Sequence, residues 1–166
     1  MQVINLENLP ESASLVKTYT DFSTSHNIFI NEETGVLYAE GTGSRPVRTI
    51  KIDRPEQPRQ VSTFGIACHD IYARGHLVYV AEASAGSIGI YDLSSTTFPK
   101  LVTRINVPSS GYVHNVWVSD DGTRMISTEE TVSKTVKMWD ISDLENPSIL
   151  DTYLAPGRLA HNAFLK

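Results

Sequence analysis

One histidine recurs along this chain at nearly constant spacing. His26, His69, His114 and His161 stand 43, 45 and 47 residues apart, and each opens a similar short motif: SHNIF, CHDIY, VHNVW and AHNAF. A fixed period constrains a fold strongly, because each unit must bury its apolar face against copies of itself. A second marker moves in step. VINLENLP, TIKIDRPEQP, IGIYDLSSTTFP and VKMWDISDLENP alternate apolar and polar residues, reach Asn5, Asp53, Asp92 or Asp140, and meet a proline shortly after.

Between these markers lie two further apolar segments per period, such as SLVKTY or KLVTRI and GVLYAEGT or HLVYVAEAS. Turn chemistry separates them: NEETG, SDDG, DRPEQP and DLENP. Each period is therefore four short strands, and no helical pattern exceeds one turn. Four strands per repeat of about 45 residues predict an all-β fold, a β-propeller of four-stranded antiparallel blades. The whole chain, 1–166, reads as one propeller segment with repeats over 1–45, 46–87, 88–134 and, in part, 135–166. The phase runs from a third strand at the start to a first strand at the end. An incomplete ring is therefore expected, with edge strands open to pairing across chains. The carboxylates of Asp53, Asp92 and Asp140 are expected to accept backbone N–H groups in the turns that follow. Trp139, Tyr91, Ile52 and Ile4, each just before its acidic or amide marker, are expected to pack between blades.

Composition narrows the classes. Hydrophobic residues make up 40% of the chain, a globular value. The net charge of −5 and the absence of a Lys/Arg cluster argue against nucleic acid as a partner. No apolar run approaches the roughly 20 residues that span a bilayer. The opening MQVINLENLPESAS has neither the basic start nor the apolar run of a secretory leader. Cys68 is the single cysteine, expected as a small core hydrophobe. No G-x-S-x-G nucleophile elbow and no glycine-rich phosphate loop occurs.

The ordered segments SHNIFINEETGVLYAEGT, VAEASAGSIGIYDLS, PSSGYVHNVWVSDDGTRMISTEE and VKMWDISDLENPSILDTYLAPGRLAHNAFLK resemble the choice-of-anchor B proteins, bacterial repeat proteins built from LVIVD-type propeller repeats. The resemblance covers nearly the whole chain, which would be a fragment or a truncated member. It implies a propeller fold and a secreted or cell-surface location. It implies little about chemistry, because the activity of that family is poorly defined.

The first strand of a propeller blade lines the central channel, so four in-register histidines would gather at one channel mouth. Neutral imidazoles around an axis are ligands for a divalent transition metal, Fe or Zn. The expected metal residues are His26, His69, His114 and His161. Glu40, Glu82 and Glu129 (or Glu130, if the register moves by one) follow their histidines by 14, 13 and 15 residues. They are expected to fold back and accept the other imidazole N–H, as carboxylates commonly do behind histidine ligands. By analogy this is similar to the iron centre of carotenoid cleavage oxygenases, which are also propellers. A plainer reading is that the histidines bond to the next blade's backbone, duplicated for packing alone. Asn27, Asp70, Asn115 and Asn162 point the other way along the strand and are expected to reach the neighbouring blade. His76, in a hairpin turn, does not repeat.

Two functions follow. One is an extracellular or surface propeller that binds a protein or a small molecule, with a histidine-held metal at the channel mouth. The other is an oxygenase-like non-haem metalloenzyme.

Overall fold

The structure is a computed structural model that describes residues 1–41 and 46–165. Strands β1 (Gln2–Asn5) and β2 (Ser14–Thr18) form an antiparallel ribbon. Blade one contains β3 (Asn27–Asn31), β4 (Val36–Glu40), β5 (Val47–Lys51) and β6 (Arg59–Phe64). Blade two contains β7 (Asp70–Arg74), β8 (Leu77–Ala81), β9 (Ser87–Asp92) and β10 (Lys100–Asn106). Blade three contains β11 (Val113–Val118), β12 (Arg124–Glu129), β13 (Val136–Asp140) and β14 (Ser148–Tyr153). Each blade is a four-stranded antiparallel meander in chain order. The boundary expected at residue 45 lies outside the described residues.

The histidine strands stand at the inner edge of each blade, and β7 lies against both β3 and β11. Successive side chains alternate between the two faces of a strand, so each blade presents one apolar row to the blade before it and one to the blade after it. Val36, Tyr38 and Val47 of blade one meet Ile71, Val78, Val80 and Tyr91 of blade two. Tyr79, Ile88 and Ile90 of blade two meet Val116, Met125, Trp139 and Ile141 of blade three. The ribbon covers Leu37, Ala39 and Ile50 with Tyr19 and Met1. VKMWDIS carries apolar residues at both parities, but only one face is buried: Trp139 and Ile141 pack against blade two, whereas Val136 and Met138 on the other face are half-buried. Tyr91 and Trp139 pack between blades as expected, whereas Ile4 is exposed. Cys68 belongs to the seam between blades one and two.

Asp92 and Asp140 serve the turns that follow them, as expected, and so does Asn5; Asp53 accepts no such bond among the described residues, because Lys51 and not Asp53 stands at the place of Asp92 and Asp140. Asn5 accepts from the Glu7 N–H at 2.8 Å, Asp92 from Ser94 at 2.7 Å and Asp140 from Ser142 at 3.0 Å. The acidic pairs Glu32–Glu33 and Asp120–Asp121 sit in hairpin turns, as does the exposed His76.

Blade one departs from the repeat as read from residue names. The backbone N–H of His69 donates to Ala81, whereas that of His26 donates to Glu40. Cross-strand partners agree: Asn27 faces Glu40, Asp70 faces Ala81 and Asn115 faces Thr128. Glu40 is thus the counterpart of Ala81 and Thr128, and Gly41 is the counterpart of Glu82 and Glu129. Gly41 has φ +65°, and a Cβ there would meet the Cβ of His26 at 2.5 Å. A side chain at that position is excluded in blade one. The slip continues outward. Ile52 donates to Gly35 as Leu93 does to His76 and Ile141 to Thr123. Ile50, not Ile52, is therefore the counterpart of Tyr91 and Trp139.

Candidate metal centre

The four histidines do come together, as a row. Ring centroids are 4.1 Å apart between His26 and His69, 3.7 Å between His69 and His114, and 3.9 Å between His114 and His161. Each ring rests on that of the next blade because the first strands stand side by side at the same height. The row runs from exposed His26 through half-buried His69 and buried His114 to exposed His161.

The next residue in each motif builds a lattice beneath the row. Asp70 accepts from the amides of Asn27 at 3.3 Å and Asn115 at 2.8 Å, and Asn115 accepts from the Ala163 N–H at 3.0 Å. Asp70 and Asn115 are buried, so these bonds hold the first strands of successive blades in register. Asn162 is exposed, and the Ala163 backbone takes the expected place of its side chain.

The histidines differ in what they bond. His69 Nδ1 lies 3.2 Å from the His114 carbonyl oxygen, the packing contact expected of a purely structural residue. His114 is 1% exposed, and neither ring nitrogen has a hydrogen-bond partner among the described residues. A buried polar group without a partner costs about 1–3 kcal/mol. Its Nε2 stands 3.6 Å from a carboxylate oxygen of Glu130. Burial, followed by the neighbouring His69 and His161, pulls the His114 pKa down to about 4. The ring is therefore neutral near pH 7, the form that binds metal. His114, Glu130 and His161 each offer a ligand atom, all within 4.8 Å of one another. Direct ligation at about 2.0–2.1 Å needs separations of roughly 3 Å, a side-chain adjustment at the two exposed members. His26 stands at the far end of the row from this group.

The glutamates expected behind the histidines do not serve them. Glu82 accepts from Ser87 at 2.6 Å and Tyr91 at 3.0 Å, and pairs with Arg104 through two bonds at 2.7 and 2.9 Å. Glu129 accepts from the Gly111 N–H and pairs with Lys137. These carboxylates sit between sheets, where desolvation requires a cation, and the repeat supplies one from β10 or β13. Glu130 faces the imidazoles because adjacent strand-end residues point to opposite sides.

Among the described residues Glu40 has no such cation. Arg48, the counterpart of Lys137, lies across from Ala39 and so on the other face of the sheet, where it donates to Gln60 at 2.6 Å. Glu40 is fully buried, and among the described residues both carboxylate oxygens are unpartnered. Burial, then the charge of Asp70, raises its pKa to about 9. The cations Arg104, Lys137 and Arg48 were not visible as partners in the sequence. A search for basic residues at the same repeat phase as Gly89 would have found Arg48 and Lys137, but not Arg104, which comes from a different strand.

Gly89 leaves the room that the Glu82 carboxylate and the Tyr91 ring fill. A Cβ at Gly89 would lie 2.5 Å from Glu82 Oε1 and 2.6 Å from the Tyr91 ring. Gly89→Ala is expected to cost about 1–3 kcal/mol in urea unfolding, as overpacking of a filled site does. An unchanged midpoint would show that the Glu82 network can move aside.

No protein-family model matches the chain, and no curated protein does. Solved structures match in fold. A functionally unknown protein from Desulfotomaculum acetoxidans superimposes with TM-score 0.65 at 20% identity, over 90% of this chain and 48% of its own. A putative 6-phosphogluconolactonase from Bacteroides uniformis gives 0.67 at 17% identity, over 85% and 46%. The periplasmic gluconolactonase of Pseudomonas aeruginosa gives 0.67 at 15% identity, over 87% and 47%. The chain thus spans a little under half the length of these proteins. The likeness establishes the β-propeller fold, and a group of two histidines and one glutamate is present at the inner edge of its blades.

Proposed function

We propose that this chain forms part of an extracytoplasmic β-propeller module, of the choice-of-anchor B kind that its repeats resemble. In this reading it holds Fe(II) or Zn(II) at the channel mouth through His114, His161 and Glu130. The observation that carries the proposal is His114, a buried neutral imidazole with both nitrogens unpartnered, flanked by a second imidazole and a carboxylate. A bound cation would remove the cost of that orphaned group. His69 is held by the His114 carbonyl and supports the ring from behind. The location is supported by the resemblance and by a periplasmic protein among the structural neighbours. Among the described residues no helix is long and apolar enough to cross a membrane.

Chelator-stripped protein titrated with Zn(II) or Fe(II) should take up one equivalent, read by elemental analysis. It should also melt higher, since a ligand at a hundred times its Kd adds about 2.7 kcal/mol. His114→Ala and His161→Ala should lose the metal, and His76→Ala should keep it. Absence of stoichiometric metal together with an unmoved melting temperature would refute the assignment.

The donor set favours one enzymatic reading. Two histidines and a carboxylate with positions left open is the ligand pattern of non-haem Fe(II) oxygenases. Glu130 and His161 are exposed, so those positions face solvent. Metal-dependent oxygen consumption with Fe(II) and none with Zn(II) would separate an oxygenase from a binding module.

A further inference from the structure

We propose that two copies of this chain close one ring, the outer face of blade three in each copy covering the ribbon end of the other. The repeat itself identifies what these faces accept. Tyr38, Val47 and Thr49 of blade one are buried under blade two, and Tyr79, Ile88 and Ile90 of blade two are buried under blade three. Their counterparts in blade three are Ile126, Val136 and Met138. These are only half-buried and line an apolar groove with Tyr153. A face of this composition is covered by the leading face of another blade in both instances that the chain contains.

The opposite end shows the complementary deficit. Ile71 and Val116 are buried, whereas their counterpart Ile28 is 42% exposed and Ile30 is 46% exposed. The β1–β2 ribbon covers Leu37, Ala39 and Ile50 but not this inner pair. Together with Val3 and Ile4 the pair lines a second apolar groove. The two faces are unlike, so the contact is head-to-tail and either closes or grows into a filament. Closure by two fits the comparison of lengths, since one chain covers 46–48% of each solved propeller named above. Closure also sets the histidine row of one copy end to end with that of the other, with His161 next to the second copy's His26.

Light scattering on the purified 166-residue chain should give twice 18.4 kDa. Met138→Asp and Ile28→Asp should each give the monomer mass, with the strand signature in circular dichroism retained. Mixed in equal amounts they should recover a weaker dimer, because one of the two seams then joins two unaltered faces. A monomeric wild-type chain would overturn the proposal. Filaments would overturn closure. A dimer that survives either single substitution would overturn head-to-tail packing. Mass is measured with and without metal, so none of these outcomes bears on the metal assignment.

Discussion

Glu40→Gln should stabilise the fold by about 3 kcal/mol at pH 7, and the gain should vanish near pH 4. In the folded chain burial and Asp70 hold the Glu40 pKa at about 9, against 4.5 in the unfolded chain. Between these values the unfolded state releases the proton and the folded state keeps it. Stability therefore falls as pH rises from about 4.5 to about 9, at about 1.4 kcal/mol per pH unit for this one group. Glutamine keeps the shape and cannot ionise. Urea unfolding of both proteins across this range is the measurement, and the difference between them should grow with pH. Parallel curves would show that Glu40 meets a cation in solution.

A second large effect is expected in blade three. Lys137→Met should cost about 3–5 kcal/mol, because it strands the Glu129 carboxylate without its cation between sheets. Both partners are buried, with side chains 6% and 1% exposed. Replacing both, as Lys137→Met with Glu129→Leu, should recover most of the loss, since an apolar pair of similar volume often matches a buried ion pair. The Arg124–Asp140 pair is the control. Its members are 43% and 28% exposed, and its double-mutant cycle should give at most about 1 kcal/mol. Additive effects at Lys137 and Glu129 would exclude the pairing.

Both effects depend on which face of a strand a residue occupies, and this is where reading by name and reading by register part. The histidine markers could be aligned by name because they stand at the start of the first strands, a position that the repeat holds constant, whereas Asp53 falls two residues beyond the place of Asp92 and Asp140. The glutamates could not. A one-residue slip in a strand sends the side chain to the other face. Offsets of 14, 13 and 15 residues hid such a slip at Glu40, because the hairpins of the three blades differ in length. The same parity separates Glu129, facing Lys137 between the sheets, from Glu130, facing His114 at the axis.

The repeat alone determined the all-β class, the four-strand blade and the side-by-side placement of His26, His69, His114 and His161. Period and alternation are local properties, and identical units that stack must place identical residues together. Only the tertiary structure decided that the imidazoles form a row, that His69 is bonded to the neighbouring backbone while His114 is not, and that Glu130 reaches the ring. Those outcomes depend on hairpin length, on the left-handed backbone of Gly41 and on which cation enters each seam. None of these is periodic, so each is set by contacts between blades and not by the motif within one.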